Sequence, residues 1–190
     1  MGILENVKSE LIKMFRSVAR SGARFLQWKH PNLRNTHCYT CEFNHLRIFE
    51  NTESKPPIGE DNHSFCECFY EDVEQKSVGS ISNKGEQSPD VYLKTYGKLP
   101  DYYITKEEAK EKYGWVQGKN TISGKAPGKM IGGNTYYNIP PNLPQKEGRI
   151  WYECGVDYES GSRNTKRLYY SNDGLMFYSP DHGRTFYYIN

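Results

Sequence analysis

The chain has 190 residues, of which 36% are hydrophobic and 25% charged. That balance suits a soluble globular protein of one ordinary domain or two small ones. No apolar run approaches the roughly 20 residues that a membrane-spanning helix needs, which excludes an integral helical membrane protein. The formal net charge of +2 is unevenly spread, with seven Lys/Arg against two Glu in residues 1–35, four against ten Asp/Glu in 36–87, and fourteen against eleven in 88–190. A mildly basic C-terminal half is compatible with a polyanionic partner. The 16 tyrosines each join an apolar ring to a polar tip, a combination suited to strands and wet clefts.

In chain order, Leu4, Val7, Leu11, Met14 and Val18 recur at helical spacing, which predicts an amphipathic helix over roughly the first 25 residues, assigned to 1–28. This N-terminus contains Glu5 and Glu10 and lacks the apolar core and small-residue cleavage site of a secretory signal. The expectation is therefore synthesis in the cytoplasm without a secretory signal peptide.

Residues 29–75 hold four of the five cysteines. Cys38-x2-Cys41 and His63-x2-Cys66-x-Cys68 flank a 21-residue gap. Thiolates and imidazole at such spacing can build a tetrahedral zinc site. Four of Cys38, Cys41, His63, Cys66 and Cys68 are the expected ligands; reduced thiols or two disulfides are the competing reading. Residues 76–88, rich in Ser, Gly, Asn and charge, are assigned as a linker.

From Ser88 the punctuation sharpens. Ser88 and Pro89 open a short helix that Gly97 stops. Thr105-Lys106-Glu107-Glu108 is a capping box, and Gly114 closes the helix it opens. Asn120 is the expected cap of a third short helix before Ala126. Residues 149–157, 166–171, 175–179 and 184–189 read as strands separated by Asn172-Asp173-Gly174 and Pro180-Asp181-His182-Gly183. Helices followed by strands predict an α+β domain over 89–190, with short helices and an antiparallel sheet of four to five strands. A small helical and Cys/His-rich region precedes it.

An ordered series of segments runs through this domain: TYGKLPDYYITKEEA (95–109), GWV (114–116), APGKMIGG (126–133), LPQKEGRIWYE (143–153), YESGSRN (158–164), YYSNDGLMFY (169–178) and DHGRTF (181–186). In residues, order and spacing the series resembles the barnase-like, guanyl-specific microbial ribonucleases. The resemblance implies a catalytic set of Lys106, Glu153, Arg163, Arg167 and His182, with no cofactor for catalysis. Glu153 would take the 2′-OH proton and His182 would protonate the departing 5′-oxygen. The three cations would hold the phosphate. Taken singly, each residue also has an ordinary role as a strand, turn or surface charge; the joint pattern is what points to chemistry.

The same resemblance places base recognition at 137–141, where Asn138 is kept and proline stands in place of a carboxylate. Tyr136 and Tyr137 are then candidates to stack on a base. Gly155 stands where the family has an acidic partner of the arginines, leaving Asp157 or Glu159 to compensate. Gly183 replaces an aromatic that follows the histidine. The resemblance further implies an RNA substrate, a role as a toxin acting in a target cell's cytoplasm, and a barstar-like inhibitor in the producer. The alternative is a ribonuclease fold that grips RNA without cutting it. The Cys/His spacing of 29–75 is similar to the tail of phage Mu F-like minor head proteins, which implies a specialised or phage-like export route. Cys154 is expected as a buried free thiol in the sheet.

Overall fold

The computed structural model describes residues 24–31, 39–51, 55–56 and 66–190. The chain divides into two units. One comprises residues up to Val73 together with Asn138–Lys146, and the other comprises Glu74–Tyr137 and Glu147–Asn190.

In the first unit, strand β1 (Phe25–Lys29) lies between β2 (Ile48–Glu50) and β3 (Phe69–Asp72), antiparallel to both. The expected helix over 1–28 is corrected at its end, where Phe25 to Trp28 are strand; residues 1–23 lie outside the described residues. The run Phe-Leu-Gln-Trp is buried on both faces, which is the environment of a central strand rather than of an amphipathic helix. A short helix, α1 (Tyr39–Asn44), contributes Cys41 to a cluster with Leu26, Trp28, Cys66, Cys68 and Tyr70. The cysteine-rich segment is thus built on a small sheet, which its few periodic runs did not disclose. Residues 138–146 belong here through the Ile48 N–H, which donates to the Asn142 carbonyl at 2.8 Å, and Arg47 Nη2, which donates to Gln145 Oε1 at 2.8 Å.

The second unit is α+β. Its sheet runs β4-β10-β9-β8-β7-β6-β5. The five central strands, β6 (Met130–Tyr136), β7 (Trp151–Gly155), β8 (Arg167–Ser171), β9 (Met176–Ser179) and β10 (Tyr187–Ile189), are antiparallel. Two short edge strands, β4 (Gln75–Lys76) and β5 (Tyr103–Ile104), pair in parallel with β10 and β6. These two-residue edges and the glycine-bearing β6 lack the alternating run that marked the other strands.

Helix α2 (Pro89–Tyr96) ends on Gly97 at φ 70°, as its punctuation predicts. Helix α3 (Lys106–Tyr113) has both halves of the capping box from Thr105 and Glu108, and Gly114 closes it in the left-handed region. Helix α4 (Ile122–Lys125) is capped by the Thr121 side chain, one residue beyond the expected Asn120, whose amide instead binds the Val116 N–H. The core has two parts. Ile104, Ala109, Trp115 and Ile122 meet Met130 and Ile131 on one side. On the other, Leu168, Met176 and Tyr178 pack with Cys154, Val156 and Leu93.

Residues 76–88 are not an open linker. Lys76 is in the sheet, Ile81 is buried in the core, and the Gly79 N–H donates to Asp90 Oδ2 at 2.7 Å. The Ser88 hydroxyl, rather than capping α2, donates to the other oxygen of Asp90, which is wholly buried. A buried carboxylate this well partnered pins the segment to α2. Asp90→Ala leaves both donors without it; the expected loss is about 1–3 kcal/mol of unfolding free energy in a urea titration of the full chain.

Candidate active site

Side chains alternate across a strand, so β7 presents Cys154 to one face and Glu153 to the other. Cys154 pairs with Leu168 in the core, while Glu153 sits opposite Tyr169. Arg167, opposite Gly155 and Ser179, shares the face of Glu153. An aromatic layer floors this face: Tyr136 on Tyr169 with centroids 4.7 Å apart, Tyr169 on Phe186 at 5.7 Å, and Trp151 on Phe177 at 5.9 Å.

Lys106 reaches the same place from α3. A register shift in β6 at Gly132–Asn134 lets Asn134 Oδ1 accept the Lys106 backbone N–H at 3.0 Å. Such a bulge re-aims side chains locally. Gly132 is obligatory here, because a Cβ would stand 2.5 Å from the Tyr103 ring and 2.6 Å from Cys154 Cβ. Lys106 Nζ then lies 3.4 Å from Glu153 Oε1.

The loop from β7 to β8 carries Arg163. Asn164 Nδ2 donates to the Val156 and Asp157 carbonyls at 2.8 and 3.0 Å and shapes this loop. Arg167 is 4% exposed. Its Nη1 donates to the carbonyls of Asn164 and Lys166 at 2.6 and 2.7 Å. Arg167 Nε and Arg163 Nη2 are buried without a hydrogen-bond partner among the described residues. Burial, and then the neighbouring Arg167, pull the Arg163 guanidinium below its ordinary value. Idle donors on two desolvated cations are chemically suited to an anion.

His182 stands in the turn after β9 at φ 64°, its N–H donating to the Thr165 carbonyl at 3.0 Å. Asp181 organises that turn, accepting from the backbone N–H groups of Thr185 and Arg184 at 2.8 and 3.1 Å. Partial burial would raise this carboxyl, but the donors outweigh it, Thr185 first, and hold it below the ordinary range. Gly183, at φ 87°, leaves room for Tyr169 Oη, which a Cβ would approach to 3.2 Å.

Lys106, Glu153, Arg163, Arg167 and His182 all line one cleft of about 480 Å³, together with Trp115 and residues 117–122. The chemistry available is a carboxylate and an imidazole around a positively charged, partly desolvated hollow. The family model for ribonucleases matches residues 86–190. The chain belongs to the barnase-like ribonuclease family. A ribonuclease of Heyndrickxia coagulans is 46% identical over 95 residues, covering 50% of this chain and 86% of that one. Ribonucleases of Bacillus intermedius and Bacillus pumilus are each 46% identical over 95 residues, and the match spans 58% of their length. The chain thus carries the endoribonuclease domain of that family. These matches bear on the C-terminal half and lend nothing to the minor-head resemblance of residues 29–75.

The expected base-reading residues are not gathered with the catalytic five. Tyr136 is half-buried against Tyr169, and Tyr137 is 81% exposed. Asn138 belongs to the other unit and is buried. Its Oδ1 accepts the Leu143 N–H, and its Nδ2 donates to the Leu143 carbonyl, both at 2.9 Å. Its amide therefore shapes the loop instead of facing a base. Of the carboxylates considered as partners for the arginines, Asp157 binds Lys166 at 3.0 Å and Glu159 is exposed. Residues not singled out in the sequence also serve the site. Asn134 and Asp181 act through backbone N–H groups, which no spacing signals, and the cleft wall at Trp115 and Lys119 follows the quoted GWV motif.

A Cβ at Gly155 would lie 3.8 Å from Arg163 Nη2, in ordinary contact. Gly155→Asp therefore places a carboxylate beside the idle donors. The expected result is a stability gain of about 1 kcal/mol or more in anion-free buffer. The stabilisation given by added inorganic phosphate should shrink. Thermal melts with and without phosphate check both, and an undiminished phosphate effect counts against the anion site.

Proposed function

We propose that the C-terminal unit cleaves single-stranded RNA by transphosphorylation. Glu153 accepts the proton of the 2′-OH, whose oxygen attacks the adjacent phosphorus. His182 gives a proton to the departing 5′-oxygen. The product is a 2′,3′-cyclic phosphate, hydrolysed afterwards with the two roles exchanged. Negative charge growing on the phosphoryl oxygens meets Arg163, Arg167 and Lys106. The observation that carries this reading is the cleft itself, which all five residues line and where two buried guanidinium nitrogens lack hydrogen-bond partners among the described residues. The set is cationic, with Glu153 the carboxylate among the five; a divalent-metal mechanism draws on clustered oxygen ligands instead.

Base preference is weak in this reading. The family's carboxylate position is proline, which offers no acceptor for guanine, and Asn138 is engaged with Leu143. Exposed Tyr137 offers a face on which any base can stack. Unrestricted RNA cleavage is lethal to the cell that makes the enzyme, which supports a toxin role with a dedicated inhibitor. A cationic cleft suits an inhibitor that presents carboxylates. Synthesis in the bacterial cytoplasm, export by a specialised or phage-like route, and action in a target cytoplasm complete the proposal. Among the described residues no helix is long and apolar enough to cross a membrane. The cysteine-rich unit is taken as a zinc-holding module that serves structure rather than cleavage.

The test is cleavage of an RNA oligonucleotide by the full chain in EDTA. Glu153→Ala and His182→Ala are each expected to lower kcat/KM by about 10²-fold or more. A 2′-deoxy substitution at the scissile nucleotide should block the cut. Cleavage that needs added metal, or that survives both substitutions, overturns the mechanism. RNA binding without any cleavage favours the non-catalytic alternative.

A further inference from the structure

The cleavage chemistry leaves the cysteines of the first unit unused. The Sγ atoms of Cys41, Cys66 and Cys68 all lie within 4.8 Å of one another. All three are buried and free of disulfides. Cys41 comes from α1, and Cys66 and Cys68 from the approach to β3. Cys41 and Cys66 are 3.7 Å apart. A tetrahedral ion with metal–sulfur bonds of about 2.3 Å sets its sulfurs roughly 3.8 Å apart, whereas a disulfide needs about 2.0 Å. The pair has the first spacing and not the second.

A second observation comes from Trp28. It is fully buried, and its indole N–H has no oxygen or nitrogen acceptor among the described residues. Cys68 is the sulfur within its reach. A metal-held thiolate is the acceptor such a donor lacks, and outer hydrogen bonds of this kind orient metal ligands.

We infer that a thiophilic divalent cation, with zinc the best chemical match, is held by Cys41, Cys66 and Cys68 and is the lock that keeps residues 138–146 in place. On binding, the sulfurs release their protons to solvent and no electron is transferred. Cys38 and His63, the other two expected ligands, lie outside the described residues. The link from the ion to the loop is short. Helix α1 has six residues, too few to hold its shape unaided, and Cys41 anchors it. Asn44 Oδ1, on the last residue of α1, accepts from Arg47 Nη1 at 3.2 Å. Arg47, stacked over Phe49 at 4.9 Å, passes its Nη2 to Gln145. The Ile48 N–H holds the Asn142 carbonyl beside it. Releasing the ion frees α1, then Arg47, then the loop. The metal thereby governs the placement of 138–146 and takes no part in breaking phosphate bonds.

The experiment uses the full chain purified under reducing conditions. Elemental analysis is expected to find one zinc per chain. Cys41→Ser, Cys66→Ser and Cys68→Ser should each lose it, and Cys154→Ser, in the other unit, should keep it. Replacement by cobalt(II) should give a sulfur-to-metal charge-transfer band. Because the variants can unfold the first unit outright, hydrogen exchange is also followed in the unsubstituted chain as a chelator is added. Protection at Ile48 and Leu143 should fall while that at Glu153 and Cys154 holds. A metal-free chain, a Cys41–Cys66 disulfide in the purified protein, or protection at Ile48 and Leu143 indifferent to the chelator overturns the inference. Stoichiometric metal with coupled protection in a chain that cuts no RNA upholds it and counts only against the proposed cleavage.

Discussion

Bringing like charges together out of water is the constraint this ribonuclease unit has to meet. Arg167 is buried, Arg163 is held below its ordinary value by burial and then by Arg167, and Lys106 stands nearby on Glu153. Such a group would splay apart if its members hung from flexible loops. Backbone carbonyls hold it instead. Arg167 is clamped by Asn164 and Lys166, the Asn164 side chain ties its loop to Val156 and Asp157, and Asn134 fixes the first residue of α3. Neutral carbonyl dipoles can position a cation without cancelling its charge, so the field stays directed at whatever enters the cleft. Gly155 fits this arrangement, since it adds no carboxylate beside Arg163.

The tyrosines find their use in the same unit. Strand pleating divides them: Tyr170 and Tyr178 face the core beneath α2, while Tyr136 and Tyr169 stack beneath the catalytic face with Phe186. Burial, first of all, raises the Tyr169 and Tyr136 hydroxyls above their ordinary value. They therefore stay protonated and add no anion to a site that depends on positive charge. Stacked rings also give a stiff floor at small entropic cost.

The segment between β6 and β7 shows how a family's site can be rebuilt without touching its chemistry. Asn138 adopts a positive φ and closes its amide on Leu143, and Arg47 and Ile48 hold the far end of the segment. The five residues proposed to break the phosphate bond line one cleft. Residues 138–146 belong by their contacts to a different structural unit from the cleft residues.

Much of the catalytic unit was legible in the chain. Gly97 and Gly114 end helices, the Thr105–Glu108 box opens one, and alternation across β7 separates Glu153 from Cys154; each is a local rule acting over a few residues. The ordered motifs pointed to five residues that the fold brings to one cleft, since spacing along a strand or turn is a local property. Distance-dependent features were not legible. The sequence assigned 25–28 to a helix, because periodicity cannot see the two strands that flank Phe25–Lys29 and bury both its faces. It read 76–88 as a linker, because the buried carboxylate of Asp90 gathers donors only once α2 has packed. It left five candidate zinc ligands in play, and among the described residues folding brings the sulfurs of three of them within 4.8 Å of one another. By itself, then, the sequence determined the helix stops and the strand faces, and its resemblance named five residues as candidates for cleavage. Tertiary structure alone decided their convergence in one cleft, the idle donors of the two arginines and the capture of 138–146 by the first unit, because those depend on contacts between residues far apart in the chain.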